Sequence, residues 1–177
     1  EARKAGRPVI FVTGHFGNYD VARVALMARG CRVGPLYNPM RNVYFNKHYV
    51  EALARIGRPI FPRGRRGLAQ LLRFLKSGGM TAFLVDLNVR KATPLSFFGR
   101  PAKTALSAAE LALKCDAPLV PGYVIRQPDG LSFEIVVEAP IPPSDPATMT
   151  QAVNDSIEAM VRSHMDQWFW IHRRWKA

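Results

Sequence analysis

Cysteine is scarce in this chain of 177 residues, because Cys31 and Cys115 are its two thiols. Two cysteines do not make a disulfide framework, and neither lies in the C-x-x-C spacing typical of metal sites. We therefore expect both thiols to be reduced, as they are on a cytosolic face. Apolar runs are also short, and none approaches the ~20 residues that a membrane-spanning helix needs.

Several motifs of common enzyme classes are missing as well. No segment matches a Walker loop or a dinucleotide-binding fingerprint, and the G-x-S-x-G turn of serine hydrolases does not occur. The histidines are not spaced as metal ligands; they are His15, His48, His164 and His172. We therefore expect a reaction that uses neither a cofactor nor a metal.

Acidic residues are few beside basic ones, since 13 Asp and Glu against 25 Lys and Arg give a formal net charge of +12. This excess predicts an anionic partner, which could be nucleic acid, anionic lipid or a phosphorylated substrate. The sign of the charge does not choose among them. A hydrophobic fraction of 48% argues against disorder, and the length suits one domain with a buried core.

Short apolar runs alternate with amphipathic segments along the chain. The apolar runs are typical of buried strands and lie at 8–13, 80–87 and 119–125. Further extended segments are predicted at 31–37, 59–62 and 131–138. Helices are predicted at 19–28, with Asn18 as the cap, and at 46–56, 67–76, 104–114 and 150–165. This order predicts an α/β fold, a single domain over 1–177 with a largely parallel central sheet flanked by helices.

A histidine and a carboxylate lie where the first predicted strand gives way to a helix, in Gly14-His15-Phe16-Gly17-Asn18-Tyr19-Asp20. Five residues on a continuous helix correspond to about 140° around its axis, so His15 and Asp20 meet only if His15 lies in the turn. Asp20 would then accept the imidazole N–H and leave the other nitrogen as a general base. Gly17 and Asn18 are predicted to lie against the substrate, with Gly14 and Gly17 allowing its close approach. Alternatively, His15 satisfies the turn and Asp20 the helix dipole.

Two further segments place charge at the ends of elements. Arg63, Arg65 and Arg66 precede a predicted helix together with two glycines, which favours an anion site. A solvated basic loop is the alternative. Asp86 ends an otherwise apolar strand, the position at which sites form in open α/β sheets. The alternative for Asp86 is a cap or turn residue.

Taken in order, these segments resemble the lysophospholipid acyltransferase superfamily, and more closely the late acyltransferases of lipid A biosynthesis. The superfamily's blocks are matched by His15 to Asp20 (His-x-x-x-x-Asp/Glu), by Gly57-Arg58-Pro59-Ile60-Phe61-Pro62-Arg63, by Phe83-Leu84-Val85-Asp86-Leu87-Asn88 and by Ala117-Pro118-Leu119-Val120-Pro121. Segments 97–104 and 166–176 resemble the lipid A branch. The chain departs from that branch at Asp20, where Glu is common, and at Val85 and Asn88, where Pro-Asp-x-Asp is usual.

The resemblance implies a glycerolipid-acyltransferase-like fold and an O-acyltransferase that acts at the cytoplasmic face of the bacterial inner membrane. Such an enzyme moves a fatty acyl group from a thioester of acyl carrier protein, or of coenzyme A, to a hydroxyl of an anionic lipid A precursor. His15 would be the general base oriented by Asp20, and a backbone N–H near Gly17 would stabilise the oxyanion. Arg63, with Arg65 and Arg66, would hold an acidic substrate group.

The same resemblance implies no cofactor, and it gives Asp86 a secondary role in positioning substrate or Arg63. The family's N-terminal membrane segment is absent from this chain, which begins at Glu1 without a Met. We therefore expect a fragment or a trimmed chain.

Three alternatives stay open at the level of sequence. The acceptor could be another phospholipid or glycolipid, or water could replace it in a hydrolase that uses the same His–Asp pair. A nucleic-acid-binding module has the right charge but lacks a recognised motif, so no nucleic-acid partner is expected. The aromatic and basic segment 168–176 is typical either of a membrane interface or of core aromatics with arginines facing water.

Overall fold

The computed structural model describes residues 4–175, in which eight strands and five α-helices form an α/β fold. The strands are β1 (Val9–Thr13), β2 (Leu36–Tyr37), β3 (Phe61–Pro62), β4 (Met80–Leu84), β5 (Thr93–Phe97), β6 (Arg100–Thr104), β7 (Leu119–Arg126) and β8 (Phe133–Val137). The helices are α1 (Asp20–Ala28), α2 (Val43–Ile56), α3 (Arg65–Lys76), α4 (Ser107–Cys115) and α5 (Pro146–Ser163). Two short 3-10 turns, Met165–Gln167 and Trp170–His172, follow α5.

The central sheet has the strand order β4-β1-β7-β8, in which β4, β1 and β7 are parallel and the edge strand β8 is antiparallel. The parallel pair β2-β3 is linked to the outer side of β4 by a bridge between Val33 and Met80. The predicted, largely parallel sheet is therefore confirmed. Since the carboxyl ends of parallel strands meet at one edge, the loops after β1, β2, β3 and β4 all open on the same side of the molecule.

Helices cover both faces of this sheet, which explains the unbroken apolar run in β1. Ile10 and Val12 are fully buried in the larger core cluster, which includes side chains of α3, α4 and α5. Val9 and Phe11 belong to a second cluster that includes side chains of α1. A strand buried on both sides gives no apolar–polar alternation, so its sequence reads as continuously hydrophobic.

The start of α1 differs from the sequence prediction. The helix begins at Asp20 with Tyr19, rather than Asn18, as its N-cap residue. Tyr19 makes no side-chain capping hydrogen bond, its backbone angles (φ −59°, ψ −22°) are already helical, and the Asn18 carbonyl accepts from the Val21 N–H at 3.1 Å. By contrast, the side chain of Asn42 does cap α2 by accepting from the backbone N–H of Phe45 at 3.0 Å.

The antiparallel hairpin β5-β6 was not predicted from the sequence. Its strands carry Pro94 and Pro101, and proline is depleted in strands. Its turn is formed by Phe98 and Gly99, both with positive φ, although Phe is not a residue that favours this conformation. Tertiary contacts hold Phe98 there, since its backbone N–H donates to Glu158 and the Arg162 guanidinium lies over its ring. Among residues 4–175, no helix has both the length and the hydropathy to cross a membrane.

Candidate active site

The pairing of β1 with β4 brings His15 and Asp86 together. Thr13 lies opposite Leu84 in the parallel register, so the residues two positions later in each chain segment emerge side by side. His15 Nδ1 lies 2.7 Å from Asp86 Oδ1. The backbone N–H of His15 also donates to Asp86 Oδ2 at 2.7 Å. One carboxylate therefore fixes both the imidazole ring and the backbone that carries it.

The environment of Asp86 keeps this carboxylate ionised. Its side chain is completely buried, and burial alone would raise its pKa. The hydrogen bonds and the charge of His15, with a further hydrogen bond from Trp168, outweigh that effect and hold the pKa below its usual value. An ionised acceptor assigns a proton to Nδ1 of His15 and leaves Nε2 as the nitrogen that can accept one. The His15 side chain is 19% exposed, so a substrate hydroxyl can reach it.

The segment 165–175, named here the C-terminal arm, closes over this pair. Trp168 is buried, and its Nε1–H donates to Asp86 Oδ2 at 2.9 Å. The backbone N–H of Phe169 donates to the carbonyl of His15 at 2.9 Å. The ring of His172 lies against that of His15, with 4.1 Å between their centroids. The arm is therefore part of the wall of the site.

The core interpretation of the aromatic, basic C-terminus holds for its inward-facing tryptophans, although Arg174 is buried rather than facing water, and the membrane-interface interpretation stays a prediction. Trp168 and Trp175 pack against the buried ring of Phe97, with centroid distances of 5.6 and 5.7 Å. Phe169 and Trp170 are about half exposed, at 46% and 49%. Lys176, which completes the predicted segment, lies outside the described residues.

Asp20 occupies a different environment from the one predicted for it. The imidazole N–H of His15 is directed to Asp86, whereas Asp20 lies in the first turn of α1 near the Arg23 guanidinium. Burial raises the pKa of Asp20, and Arg23 partly offsets this. Arg23 in turn donates to the carbonyls of Leu53 and Gly57 at the end of α2. Asp20 is therefore placed to support the junction of α1 and α2.

The glycines of the loop after β1 allow close packing within the protein. A Cβ at Gly14 would lie 3.1 Å from Asp86 Oδ2, so glycine lets the carboxylate approach the loop. Gly17 has φ +50°, and a Cβ there would lie 2.4 Å from the Val124 carbonyl. Its own N–H donates to the carbonyl of Gln167 at 2.8 Å, and an oxyanion donor among the backbone amides near Gly17 stays a prediction. Gly17 and Asn18 are exposed beside His15, which is consistent with their predicted place at the substrate.

The arginine cluster lies on the same edge of the sheet as His15. Arg63 follows β3, and Arg65 and Arg66 form the first turn of α3; all three are exposed. Arg63 Nη1 donates to Asn38 Oδ1 at 3.3 Å, which places Arg63 against the loop after β2. The predicted use of Asp86 to hold Arg63 is not observed among the described residues, because the oxygens of Asp86 accept from His15 and Trp168.

With this geometry, comparison with known proteins becomes informative. The family model described as "Bacterial lipid A biosynthesis acyltransferase" matches residues 1–177. The chain belongs to this family. The resemblance found in its sequence blocks is thereby confirmed over the whole chain.

Relatives of this acyltransferase family member fall into two groups by their names. Phosphatidylinositol mannoside acyltransferase of Mycobacterium tuberculosis (strain ATCC 25618 / H37Rv) is 22% identical over 180 residues, which cover 99% of this chain and 57% of that protein. Lipid A biosynthesis acyltransferase of Haemophilus influenzae is 23% identical over 174 residues, 97% of this chain and 54% of that protein. Lipid A biosynthesis lauroyltransferase of Escherichia coli is 30% identical over 119 residues, 64% of this chain and 39% of that protein. The chain thus spans little more than half the length of the first two of these relatives, and its match to the lauroyltransferase covers less than half of that protein.

Two residues of this candidate site, Trp168 and His172, were missed at the level of sequence. Both lie in a segment whose composition we interpreted as interfacial or core, without assigning it to the site. Trp168 is 82 positions from Asp86, and no local pattern connects them. The contact of Trp168 with Asp86 can be predicted only when the strand order and the course of the C-terminal arm are already known.

Proposed function

We propose that this chain forms the acyl-transfer domain of an O-acyltransferase that moves a fatty acyl group from a thioester to a hydroxyl of a lipid A precursor. The buried, ionised Asp86 bonded to Nδ1 of the partly exposed His15 is the observation that carries this proposal. This arrangement suits a general base, since Asp86 engages Nδ1 of His15 and leaves Nε2 as the nitrogen that can accept a proton. Membership in an acyltransferase family selects acyl transfer among the reactions that such a base can assist.

The proton and the acyl group follow a balanced path in this mechanism. Nε2 of His15 removes the proton of the acceptor hydroxyl as its oxygen attacks the thioester carbonyl carbon. Asp86 stabilises the imidazolium that forms. Collapse of the tetrahedral intermediate breaks the carbon–sulfur bond, and the imidazolium returns its proton to the departing thiolate. General-base assistance of this kind contributes roughly 10²–10⁴ in rate, and a thiolate leaves readily enough that no acyl-enzyme is needed.

The proposed acceptor has one specific alternative. The mycobacterial relatives, which are named for phosphatidylinositol mannoside, align with 99% of this chain, whereas the lauroyltransferase aligns with 64% of it. A mannosylated phosphatidylinositol is therefore the second candidate acceptor. Both candidates are anionic glycolipids with a free hydroxyl, which suits the chain's net charge of +12.

The membrane surface that supplies this acceptor is proposed to contact the first turn of α2. Val43, Tyr44 and Phe45 are exposed there, at 69%, 85% and 54%, and Arg41 and Lys47 flank them. An apolar turn between basic residues has the composition of an interfacial helix, and each basic residue near an anionic leaflet contributes about 1 kcal/mol. The cytoplasmic face of the inner membrane is the proposed location, where acyl carrier protein would supply the thioester.

The α2 turn also leads towards the base. Tyr49 lies one turn after Phe45 on α2, and its ring contacts that of Tyr37 at the end of β2, with 6.2 Å between centroids. Charge interactions place Tyr49 near Asp20 and near Tyr19, whose ring lies 5.7 Å from that of His15. A lipid drawn from a bilayer at the start of α2 would therefore enter beside His15.

Acyl transfer itself tests the proposal. Labelled acyl-acyl carrier protein and acyl-coenzyme A are offered separately with a lipid A precursor or a phosphatidylinositol mannoside in vesicles of neutral or partly anionic lipid. We expect label in one glycolipid, with faster transfer in anionic vesicles. Label released entirely as free fatty acid would favour the hydrolase alternative, and a rate independent of vesicle charge and salt would contradict the membrane contact.

Arg63→Ala is expected to raise the KM of one substrate by about tenfold or more with little change in kcat. Arg63 is exposed beside Asn38 at the site edge, and a hydrogen bond between charged groups contributes about 1.5–3 kcal/mol. Its proposed ligand is the phosphate of the donor's pantetheine arm or of the acceptor. Steady-state kinetics with each substrate varied in turn distinguishes the two.

The matched control for Arg63 is Arg73→Ala. Arg73 is an equally exposed arginine in the last turn of α3, at the other end of the helix that Arg65 and Arg66 begin. The Arg73→Ala substitution removes the same charge, but from the end of α3 that lies away from Arg63. Equal KM values for Arg63→Ala, Arg73→Ala and the unaltered chain would remove Arg63 from the binding site.

A further inference from the structure

The carboxylate of Asp86 has donors on both of its oxygens. Oδ1 is bonded to the imidazole of His15. Oδ2 accepts from the His15 backbone N–H at 2.7 Å and from Trp168 Nε1 at 2.9 Å. Two of these three donors belong to the base itself, and the third comes from the C-terminal arm. The orientation of Asp86 therefore depends on a residue far from both site loops in sequence.

We infer that Trp168 is a positioning residue for proton transfer, because its indole N–H fixes the orientation of Asp86 and limits how strongly Asp86 attracts the His15 proton. This inference rests on the proposed function, in which His15 is the base. It extends the catalytic machinery from the two strand ends to the C-terminal arm.

The arm is attached to both loops that carry the pair. On the loop after β1, Phe16 forms an antiparallel bridge with Trp168, and the Gly17 N–H donates to the Gln167 carbonyl. On the loop after β4, Asn88 Nδ2 donates to the Arg174 carbonyl at 3.2 Å. The Arg174 side chain, 1% exposed, donates to the carbonyls of Leu87 and Lys103 and to Thr104 Oγ1. These bonds tie the two loops to one segment.

The direction of the indole N–H is set by packing rather than by Asp86. Trp168 is 4% exposed, and its ring contacts those of Phe97 and Trp170 at centroid distances of 5.6 and 4.6 Å. A ring held on several sides does not turn when its hydrogen bond is lost. The donor is therefore preorganised, which is the condition under which a hydrogen bond can orient a catalytic group.

Loss of this one donor has two expected consequences. Asp86 keeps its two donors from His15 but loses the one donor that does not move with His15, so the imidazole is held less accurately and kcat falls. Asp86 also concentrates its negative charge on the remaining donors, which strengthens its hold on the imidazolium and moves the acid limb of the activity profile to higher pH. The other titratable or charged groups near the pair are Tyr19, Tyr123, His172 and Arg174, and the substitution removes none of them.

The decisive variant is Trp168→Phe, which keeps an aromatic ring and removes the N–H. We expect kcat to fall about tenfold, as for a hydrogen bond to a charged group, with KM within about twofold. We expect the acid limb of the kcat–pH profile to move to higher pH, because Asp86 has one donor fewer to share its charge with. The matched control is Trp170→Phe, which keeps an aromatic ring against Trp168 and removes an N–H that donates to the Met165 carbonyl at 2.8 Å, away from Asp86. Equal kcat and equal pH profiles for the two variants would overturn the inference.

A second measurement is independent of turnover. The chain has three tryptophans, so a ¹H–¹⁵N spectrum shows three indole signals, and Trp168→Phe identifies one of them. In Asp86→Asn the acceptor loses its charge, so the Trp168 signal is expected to move upfield while the other two stay in place. A Trp168 signal that does not respond to Asp86→Asn would overturn the inference even if the variants lose activity. A wild-type chain that transfers no acyl group but shows the indole response would contradict the proposed function and leave the Trp168–Asp86 contact standing.

Discussion

His15→Ala is expected to lower the rate of acyl transfer by about 10²–10⁴-fold while the protein stays folded. The substitution removes the nitrogen that takes the acceptor proton. It keeps the backbone N–H that donates to Asp86 Oδ2, and the indole N–H of Trp168 also remains on that oxygen. Asp86 therefore keeps two of its three donors, and the loop after β1 keeps its anchor. Transfer assays and a thermal unfolding curve, measured on the same preparation, check both halves of this expectation.

The control for this variant is His48→Ala, because His48 is an exposed histidine on α2 whose loss removes an imidazole of the same kind. Its activity is expected to match that of the unaltered chain. Added imidazole is expected to restore part of the activity of His15→Ala, since the side chain it replaces is 19% exposed and leaves a space open to solvent. Full activity in a folded His15→Ala chain would refute the assignment of His15 as the base.

The pattern along the chain was sufficient for the sheet and for the position of the site. The apolar runs that form β1, β4 and β7 are strands of a sheet covered on both faces, and such strands are recognisable because their sequences are continuously hydrophobic. His15 and Asp86 were each recognised because they follow such a run directly. The strands and the two residues that follow them are each encoded by a few neighbouring residues, so the sequence alone was enough to predict them.

The pairing of His15 with Asp86 could not be predicted by the same reasoning. Asp20 lies five positions from His15, whereas Asp86 lies 71 positions away, and a motif favours the nearer carboxylate. The outcome depends on β1 being paired with β4 in the register that sets Thr13 opposite Leu84. Nothing in the residues 14–20 encodes that register. Trp168 depends in addition on the course of the C-terminal arm across the end of the sheet.

Contacts between residues distant in sequence also explain why the β5-β6 hairpin and the neighbours of Gly14 and Gly17 were not predicted. Phe98 is held at positive φ by contacts with α5, so its turn lacks the Asn-Gly or Asp-Gly signal that a hairpin usually carries. Gly14 and Gly17 were expected to allow close approach of a substrate, whereas the groups that lie against them are the Asp86 carboxylate and the Val124 carbonyl of the protein itself. A glycine indicates that space is needed and leaves open which group fills it.

Asp86→Asn is expected to reduce kcat by about 10²–10⁴-fold, far more than Asp20→Asn. A carboxylate that holds a catalytic imidazole fixes its tautomer and stabilises its charged form, and its replacement by an amide costs up to about 10⁴ in the serine-protease triad. Asp86 accepts from Nδ1 of His15, so it is placed to do both. Asp20 faces Arg23 on α1, so we expect Asp20→Asn to keep kcat within about tenfold of the unaltered chain.

The folded state shifts the pKa values of Asp86 and Asp20 in opposite directions, so their ionisation has opposite effects on stability. The pKa of Asp86 is lowered in the folded protein, so its ionised form contributes stability above the unfolded pKa, and this is lost as the pH falls through the folded pKa. Asp86→Asn should therefore unfold at a lower temperature than the unaltered chain at neutral pH, with a smaller difference in acid. The pKa of Asp20 is raised by burial, so its ionisation opposes folding at neutral pH, and Asp20→Asn should cost little stability there.

These two variants decide between the first sequence block and the observed geometry. The block places Asp20 beside His15 in sequence, and the paired strands place Asp86 beside His15 in space. If Asp20→Asn lost as much kcat as Asp86→Asn while remaining folded, the imidazole would have to turn towards α1 during the reaction, and Asp86 would be reduced to a support for the loop. If Asp86→Asn alone loses kcat, proton transfer depends on the pair of His15 and Asp86 that forms across the sheet. Asp20 would then support the junction of α1 and α2, where Arg23 donates to the carbonyls of Leu53 and Gly57.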